Sequence, residues 1–160
     1  NPPRTADLEL LAEDHAPLCA LVPPQFPLAK KKACSFSETL GYPLALLNPH
    51  FGVAKLLANT DQGDRAARDA FLTADSINVA IHFVLSGGGI TYLPAFAVSR
   101  QLRRGEIVAI PMTDDFLNRV PSHLLVRKGR PKTAAVRAVT GVIRDRMEAF
   151  GAAWYPDEHD

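Results

Sequence analysis

The sequence predicts an α/β fold with a largely parallel sheet, and two observations support this prediction. Short runs of apolar and β-branched residues alternate with helical segments through most of the chain. Proline, glycine or a helix-capping residue closes most of these runs, and these residue types end strands and begin helices. Since ligands of such sheets bind at the carboxyl ends of the strands, the residues that follow the strands are the first candidates for a site.

The predicted strands are residues 8–12, 17–22, 44–47, 70–73, 90–93, 106–110 and 122–126. Residues 44–47 form a continuous apolar run, which is typical of a strand buried on both faces. Residues 13–16 are predicted to be the turn between the first two strands.

The predicted helices are residues 28–32, a short helix after Ser35, and then 53–58, 77–85, 95–102 and 132–150. Ser35 and Glu38 have the spacing of a capping box, and Ser76 is placed to cap the helix over 77–85. The last helix is amphipathic, and the segment 62–64 is expected to be a loop.

Composition limits the classes of protein that the chain can represent. Its 160 residues are enough for one sizeable core or two small lobes. The net charge of +1 gives no sign that the whole domain binds nucleic acid. Cys19 and Cys34 are predicted to be reduced and to face the core, because one possible pair is not a disulfide framework. No run approaches the ~20 apolar residues of a membrane span, and no secretion signal is evident.

The patterns that would indicate catalysis, a metal or a cofactor are weak, and none of these is predicted. Ser86 adjoins Gly87-Gly88-Gly89 but lacks the leading glycine of a nucleophile elbow. The glycines follow a helix and precede a strand, the reverse of a phosphate loop, so they are predicted to end the helix. The five histidines show no ligand spacing, and His82 is predicted to be a buried core residue.

Two segments that join a strand to a helix are the best candidates for ligand contact. Helix N-termini that follow neighbouring strands could converge on one anion, such as a carboxylate. Plain helix capping remains an alternative explanation for both segments. The candidate binding residues are Asn48, Pro49, His50, Phe51, Gly52, Asp75 and Ser76.

The order of several short motifs resembles that of one family. Residues 84–94, with the sequence VLSGGGITYLP, are followed by LRRGEIV at 102–108, while LVPPQFPLA occupies 21–29 and LLVR occupies 124–127. These segments, followed by a long final helix, resemble the effector domain of LysR-type transcriptional regulators. Phe26 departs from that pattern, because it stands where the family usually has histidine.

The resemblance implies a type II periplasmic-binding-protein-like fold with two lobes. By this resemblance, residues 23–121 form a complete second lobe, and residues 1–22 and 122–160 are the remainder of a first lobe. The opening part of the first lobe and the N-terminal helix-turn-helix domain are expected to be absent, so the chain is interpreted as a truncated fragment. The family binds its effector in the cleft between the lobes, and the candidate residues match the wall that the second lobe contributes.

The function implied by the resemblance is effector sensing in a bacterial transcriptional regulator, without enzymatic activity. The expected partners are a small, anionic effector and further copies of the parent protein, as a dimer or tetramer. DNA would be contacted only through the absent N-terminal domain, no membrane partner is expected, and the location would be cytoplasmic. The alternatives are a solute-binding protein of a transport system, which would need a secretion signal and both lobes, and an α/β enzyme.

Overall fold

The computed structural model describes residues 7–152, with side chains as far as Met147. Its strands are β1 (Leu8–His15), β2 (Leu18–Val22), β3 (Ala45–Leu47), β4 (Leu72–Ala74), β5 (Thr91–Pro94), β6 (Val108–Pro111) and β7 (Pro121–Arg127). Its α-helices are α1 (Phe36–Thr39), α2 (Gly52–Ala58), α3 (Gly63–Asp69), α4 (Ile77–Leu85), α5 (Ser99–Arg103), α6 (Asp115–Asn118) and α7 (Ala134–Ala152). Turns of 3-10 helix span Pro27–Lys30 and Ala95–Val98.

The chain divides into two compact units. Unit 2 is the continuous stretch Pro17–Asn118, and unit 1 combines the residues up to Ala16 with those from Arg119 onward. The boundaries predicted for the two lobes, after residues 22 and 121, stay a prediction.

The sheet of unit 2 has β2 between β5 and β6, and both of these pairs are antiparallel. Strands β3 and β4 are parallel, and a single parallel bridge between Leu44 and Ile90 joins the start of β3 to the start of β5. The prediction of a largely parallel sheet is therefore wrong for the described ladders, since β1 and β7 of unit 1 are also antiparallel. Apolar runs locate strands but carry no information about strand direction, which depends on how the chain returns to the sheet.

Strand β2 is the centre of the core of unit 2. All five of its residues are at most 1% exposed, as expected for a continuous apolar run packed on both faces. Complete burial of each leucine or valine side chain contributes roughly 1.5–3 kcal/mol relative to exposure. Cys19 and Cys34 are both buried, which confirms the prediction that these side chains face the core.

Helix α1 begins with the predicted capping box. The Glu38 amide donates to Ser35 Oγ at 3.3 Å, and the Ser35 amide donates to Glu38 Oε2 at 2.8 Å. Two core contacts then hold the helix against β5: the Phe36 and Tyr92 rings meet edge to face, and the Thr39 and Tyr92 hydroxyls are hydrogen-bonded at 2.5 Å. The local cap and the tertiary contacts therefore favour the same helix.

The glycine segment ends α4, as the sequence predicted. Gly87 has a φ of +78° and Gly89 a φ of +156°. A Cβ on Gly89 would lie 2.1 Å from the Pro43 carbonyl oxygen, so no side chain fits where the turn enters β5. The glycines therefore have the structural role that was favoured over phosphate binding.

Three further expectations need correction. Residues 62–64 are not only a loop, because Gly63 begins α3; this helix escaped prediction because its residues are mostly charged, and only Gly63 and Ala66 are buried. Strand β1 continues through His15, where a turn was expected, because β7 pairs with it along that length. His82 is exposed and not a core residue, since only Ala80, Ile81 and Val84 of α4 are buried.

Unit 1 has much less covered apolar surface. Within residues 7–152 it consists of the antiparallel pair β1–β7 and the helix α7. The predicted long helix is present, but most of the apolar side chains along it face outward. Val136, Val139, Val142 and Ile143 are 39–58% exposed. In the described part of the chain, no other element therefore covers the apolar face of α7.

Candidate functional site

The pairing of β3 with β4 brings the two candidate segments together. The register places Leu47 opposite Ala74, so Asn48 and Asp75 leave the sheet side by side at the carboxyl ends of two parallel strands. The Asn48 amide donates to the Ala74 carbonyl oxygen at 2.9 Å, which fixes this arrangement beyond the last paired residues. The carboxyl edge of parallel strands is where open α/β sheets bind their ligands.

The first segment, from Asn48 to Gly52, is a tight turn that leads into α2. Asn48 Oδ1 accepts from the His50 amide at 3.3 Å, and the Asn48 carbonyl oxygen accepts from the Phe51 amide at 2.9 Å. Phe51 precedes α2 in an extended conformation and makes no side-chain capping hydrogen bond. Because Phe51 has no acceptor in its side chain, the first amides of α2 lack the cap that serine or aspartate would give.

The exposure of this segment is uneven. Pro49, His50 and Gly52 are exposed, whereas Asn48 and Phe51 are half-buried. A Cβ on Gly52 would meet nothing within 4 Å, so the space in front of the first turn of α2 is open. The segment therefore presents backbone amides, an imidazole and part of an aromatic ring.

The second segment, Asp75 and Ser76, leads into α4. Ser76 Oγ accepts from the Asn78 amide at 3.3 Å, so helix capping, the alternative left open by the sequence, accounts for one role of this side chain. A hydroxyl that accepts one hydrogen bond still has a proton to donate. Asp75 is exposed, and its carboxylate would repel an anion placed directly beside it.

A small apolar cavity adjoins the first segment. Its volume is about 140 Å³, and Pro49 is the one candidate residue among those that line it. The other lining residues are Leu46, Leu47, Ala54, Leu57, Ala58, Gly63, Ala66, Ala67 and Thr73. This cavity could not be predicted from the sequence because α3, which contributes three of those residues, was itself not predicted. An apolar cavity of about 150 Å³ can hold a ring the size of benzene.

Helices α2 and α3, which both line the cavity, approach each other closely at Gly63. A Cβ at that position would lie 2.4 Å from the Leu57 carbonyl oxygen. Gly63 is the first residue of α3, where a glycine permits this approach but does not by itself signal a helix.

Neither the Ser86 hydroxyl nor the Cys34 thiol is activated for covalent chemistry. Ser86 Oγ donates to the Phe83 carbonyl oxygen at 2.9 Å, an ordinary contact at a helix end. Burial raises the pKa of the Cys34 thiol to about 11, so it stays protonated and weakly nucleophilic at neutral pH.

The residues that the structure describes contain neither a cluster of metal ligands nor a membrane-spanning helix. No group of three or more His, Cys, Asp or Glu side chains there could hold a metal ion. No helix within residues 7–152 has the length and apolar composition that crossing a membrane requires.

Comparisons with known proteins give a consistent result. The family model described as the LysR substrate binding domain matches residues 1–148. The chain therefore belongs to the LysR substrate binding domain family, the effector-sensing part of a class of transcriptional regulators. This membership favours a regulator over a transport solute-binding protein. No match is found among the curated proteins.

Solved structures agree with that family at the level of the fold. The effector binding domain of QuiR in complex with shikimate is 16% identical, with a TM-score of 0.66 over 93% of this chain and 69% of that chain. A reduced form of OxyR from N. meningitidis is 20% identical, with a TM-score of 0.70 over 90% of this chain and 68% of that chain. The BenM effector binding domain with benzoate is 18% identical, with a TM-score of 0.60 over 92% and 66%. The fold is thus that of a type II periplasmic-binding-protein-like domain.

Proposed function

We propose that this chain senses a small, anionic effector for a LysR-type transcriptional regulator, and that the effector binds against the segments Asn48–Gly52 and Asp75–Ser76. The observation that carries the proposal is the parallel register of Leu47 with Ala74, which brings both segments to one edge of the sheet. The role is binding and not catalysis, since the family is a class of regulatory domains.

Three groups are suited to hold such a ligand. The amides in the first turn of α2 have no side-chain cap, and the Ser76 hydroxyl retains a proton to donate. Phe51 offers an apolar surface beside these donors, and Pro49 of the same segment lines the apolar cavity. A carboxylate on a short aliphatic or aromatic body is the chemistry that matches this combination. The neighbouring structures with shikimate and benzoate contain ligands of that kind.

Control of transcription would follow from unequal binding to two states of the parent regulator. A ligand shifts an equilibrium only by the difference between its affinities for the two states. In the full-length protein, a shift would change how copies of the regulator assemble and how its DNA-binding domains are spaced. The proposal includes a dimeric or tetrameric parent that contacts DNA through another domain and acts in the cytoplasm.

A thermal-shift screen with small carboxylic acids tests the proposal. A ligand at about 100 times its dissociation constant stabilises the folded chain by about 2.7 kcal/mol, a clear and saturable rise in Tm. Phe51→Ala should remove most of that rise, whereas Phe96→Ala, which changes an exposed phenylalanine of unit 2 outside both segments, should leave it intact. A ligand whose effect survives Phe51→Ala would show that binding occurs elsewhere.

A further inference from the structure

A groove in unit 1 separates α7 from the strands β1 and β7. Its volume is about 280 Å³. Two leucines, Leu11 on β1 and Leu124 on β7, line the strand side. The helix side is lined by Lys132, Arg137, Thr140, Gly141 and Arg144. One side of the groove is therefore apolar, and the other carries three cations and no carboxylate.

The local sequence is strongly basic around this groove. Residues 127–147 contain seven lysines and arginines, and Asp145 is the one acidic residue among them. The whole chain has a net charge of only +1, so the cations are concentrated here. Like charges held close together repel one another, and a bound anion relieves that repulsion.

The three cations use only part of their hydrogen-bonding capacity in the contacts that they make within the chain. Lys132 Nζ contacts Glu9 Oε1 at 2.8 Å, while Arg144 Nε lies 3.9 Å from Asp145 Oδ1, beyond hydrogen-bond range. Arg137 donates to the Lys132 carbonyl oxygen, and among the described residues no carboxylate lies within 4.0 Å of its guanidinium. A guanidinium has five N–H donors, so Arg137 and Arg144 can each still donate two hydrogen bonds to an oxyanion.

The start of α7 adds a second, independent preference for an anion. This helix of 19 residues has no acidic residue in its first turn, although a carboxylate there would interact well with the helix dipole. Instead, Lys132 precedes the helix and Arg137 lies in its first turns, where cations oppose the dipole. The Thr133 hydroxyl caps only one amide, that of Val136, at 3.2 Å. The helix end adds positive potential beside Lys132 and Arg137, whereas Arg144 lies about three turns into α7 and contributes through its own charge.

We propose that this groove is a second ligand site, which binds a small organic oxyanion, a carboxylate or a phosphate ester. The anionic group lies between Arg137 and Arg144, and a short apolar body lies against Leu11 and Leu124. The site belongs entirely to unit 1 and is distinct from the segments Asn48–Gly52 and Asp75–Ser76 of unit 2, called the effector segments below. It goes beyond the proposed function, because the domain would respond to a second small-molecule ligand in addition to the effector.

A ¹H–¹⁵N NMR titration of the 160-residue chain with sodium hexanoate tests this site. Inorganic phosphate is the second probe, and sodium chloride keeps the ionic strength constant throughout. We expect saturable shifts of amides in β1, β7 and α7, and at least tenfold weaker binding in Arg137→Gln and in Arg144→Gln. Arg146→Gln is the matched control: it removes the same charge from the same helix but does not line the groove. Unchanged spectra away from the mutated position would establish that each variant folds.

The possible outcomes separate this proposal from the effector proposal. Hexanoate binding that weakens in the two groove variants but not in Arg146→Gln or Phe51→Ala supports the groove. Hexanoate shifts that Phe51→Ala abolishes would place the binding at the effector segments and overturn the groove. Equal weakening by Arg146→Gln, or no saturable shift at all, would also overturn it. Phosphate that binds as tightly as hexanoate would contradict the role assigned to the leucines.

Discussion

The two units differ in how completely they bury their apolar residues. In unit 2, a central strand is at most 1% exposed along its whole length, and helices pack on its sheet. In unit 1, two strands and one helix are described, and Val139 on that helix is 58% exposed. Both regions show a regular apolar pattern in the sequence, so pattern alone does not establish that a face is covered. Coverage depends on whether other elements of sufficient size pack against it.

The difference between the units also separates two kinds of candidate site. The two candidate segments of unit 2, Asn48–Gly52 and Asp75–Ser76, are held by the backbone register of two parallel strands, and the turn of the first is stabilised by local hydrogen bonds. The groove of unit 1 depends instead on long cationic side chains that precede α7 or lie along it. We therefore expect substitutions that disturb the backbone to have their largest effects in unit 2. Substitutions that change the charge of a side chain should have their largest effects in unit 1.

The largest difference in stability between the units is expected when a glycine is replaced by alanine in each of them. Gly89→Ala places a Cβ 2.1 Å from the Pro43 carbonyl oxygen and should reduce the free energy of unfolding by about 3 kcal/mol. Gly141→Ala on α7 meets nothing within 4 Å and should stabilise the helix by about 0.5–1 kcal/mol. Urea denaturation followed by circular dichroism measures both values, and a tolerated Gly89→Ala would contradict the close approach seen in unit 2.

A smaller contrast is expected from a matched pair of valine substitutions. Val22→Ala removes two methyl groups at a fully buried position of β2 and should cost about 1.5–3 kcal/mol. Val139→Ala at the exposed position of α7 should change stability by less than about 0.6 kcal/mol, since alanine has the higher helix propensity. The same denaturation experiment compares the two. If Val139→Ala reduced the free energy of unfolding more than Val22→Ala did, the apolar face of α7 would have to be buried in solution, for example by self-association.

The smallest effect is expected at the start of α1, where the stability contributed by Glu38 should depend on pH. Hydrogen bonds from Lys31 and Ser35 lower the pKa of Glu38 to about 2. A carboxyl whose pKa is lower in the folded than in the unfolded chain adds stability above the unfolded value, and this stability is lost as pH falls towards 2. Glu38→Gln keeps a capping group but not the charge, so the difference in Tm between the two proteins should be present at pH 6 and shrink below pH 4. A difference that does not vary between pH 6 and pH 3 would contradict this account.

Much of the local structure followed from the sequence, because it depends on residues close together in the chain. The capping box at Ser35, the cap at Ser76 and the glycine turn at Gly89 each need only a few neighbours. The direction of the strands could not be predicted, because it depends on distant segments that meet in the sheet. Helix α3 was missed because it is held mainly by a close contact with α2 and not by an apolar stripe.

The candidate site was only partly predictable for the same reason. Both segments were identified because each follows an apolar run and precedes a helix. Their proximity depends on the parallel pairing of Leu47 with Ala74, and the neighbouring cavity depends on α3. The groove of unit 1 was not predicted, because Leu11 and Arg144 are far apart in sequence and no short motif links them.

The most direct test of the central claim, that the two segments form an anion-binding effector site, is a titration of Ser76 variants. Once the screen has identified an effector, its dissociation constant is measured by isothermal titration calorimetry for the wild type, Ser76→Asn and Ser76→Asp. Both replacements are good helix caps, so α4 should remain intact, but only aspartate adds a negative charge. The account predicts at least tenfold weaker binding for Ser76→Asp than for Ser76→Asn. Equal affinity in these two variants would contradict the assignment of this edge of the sheet as the effector site.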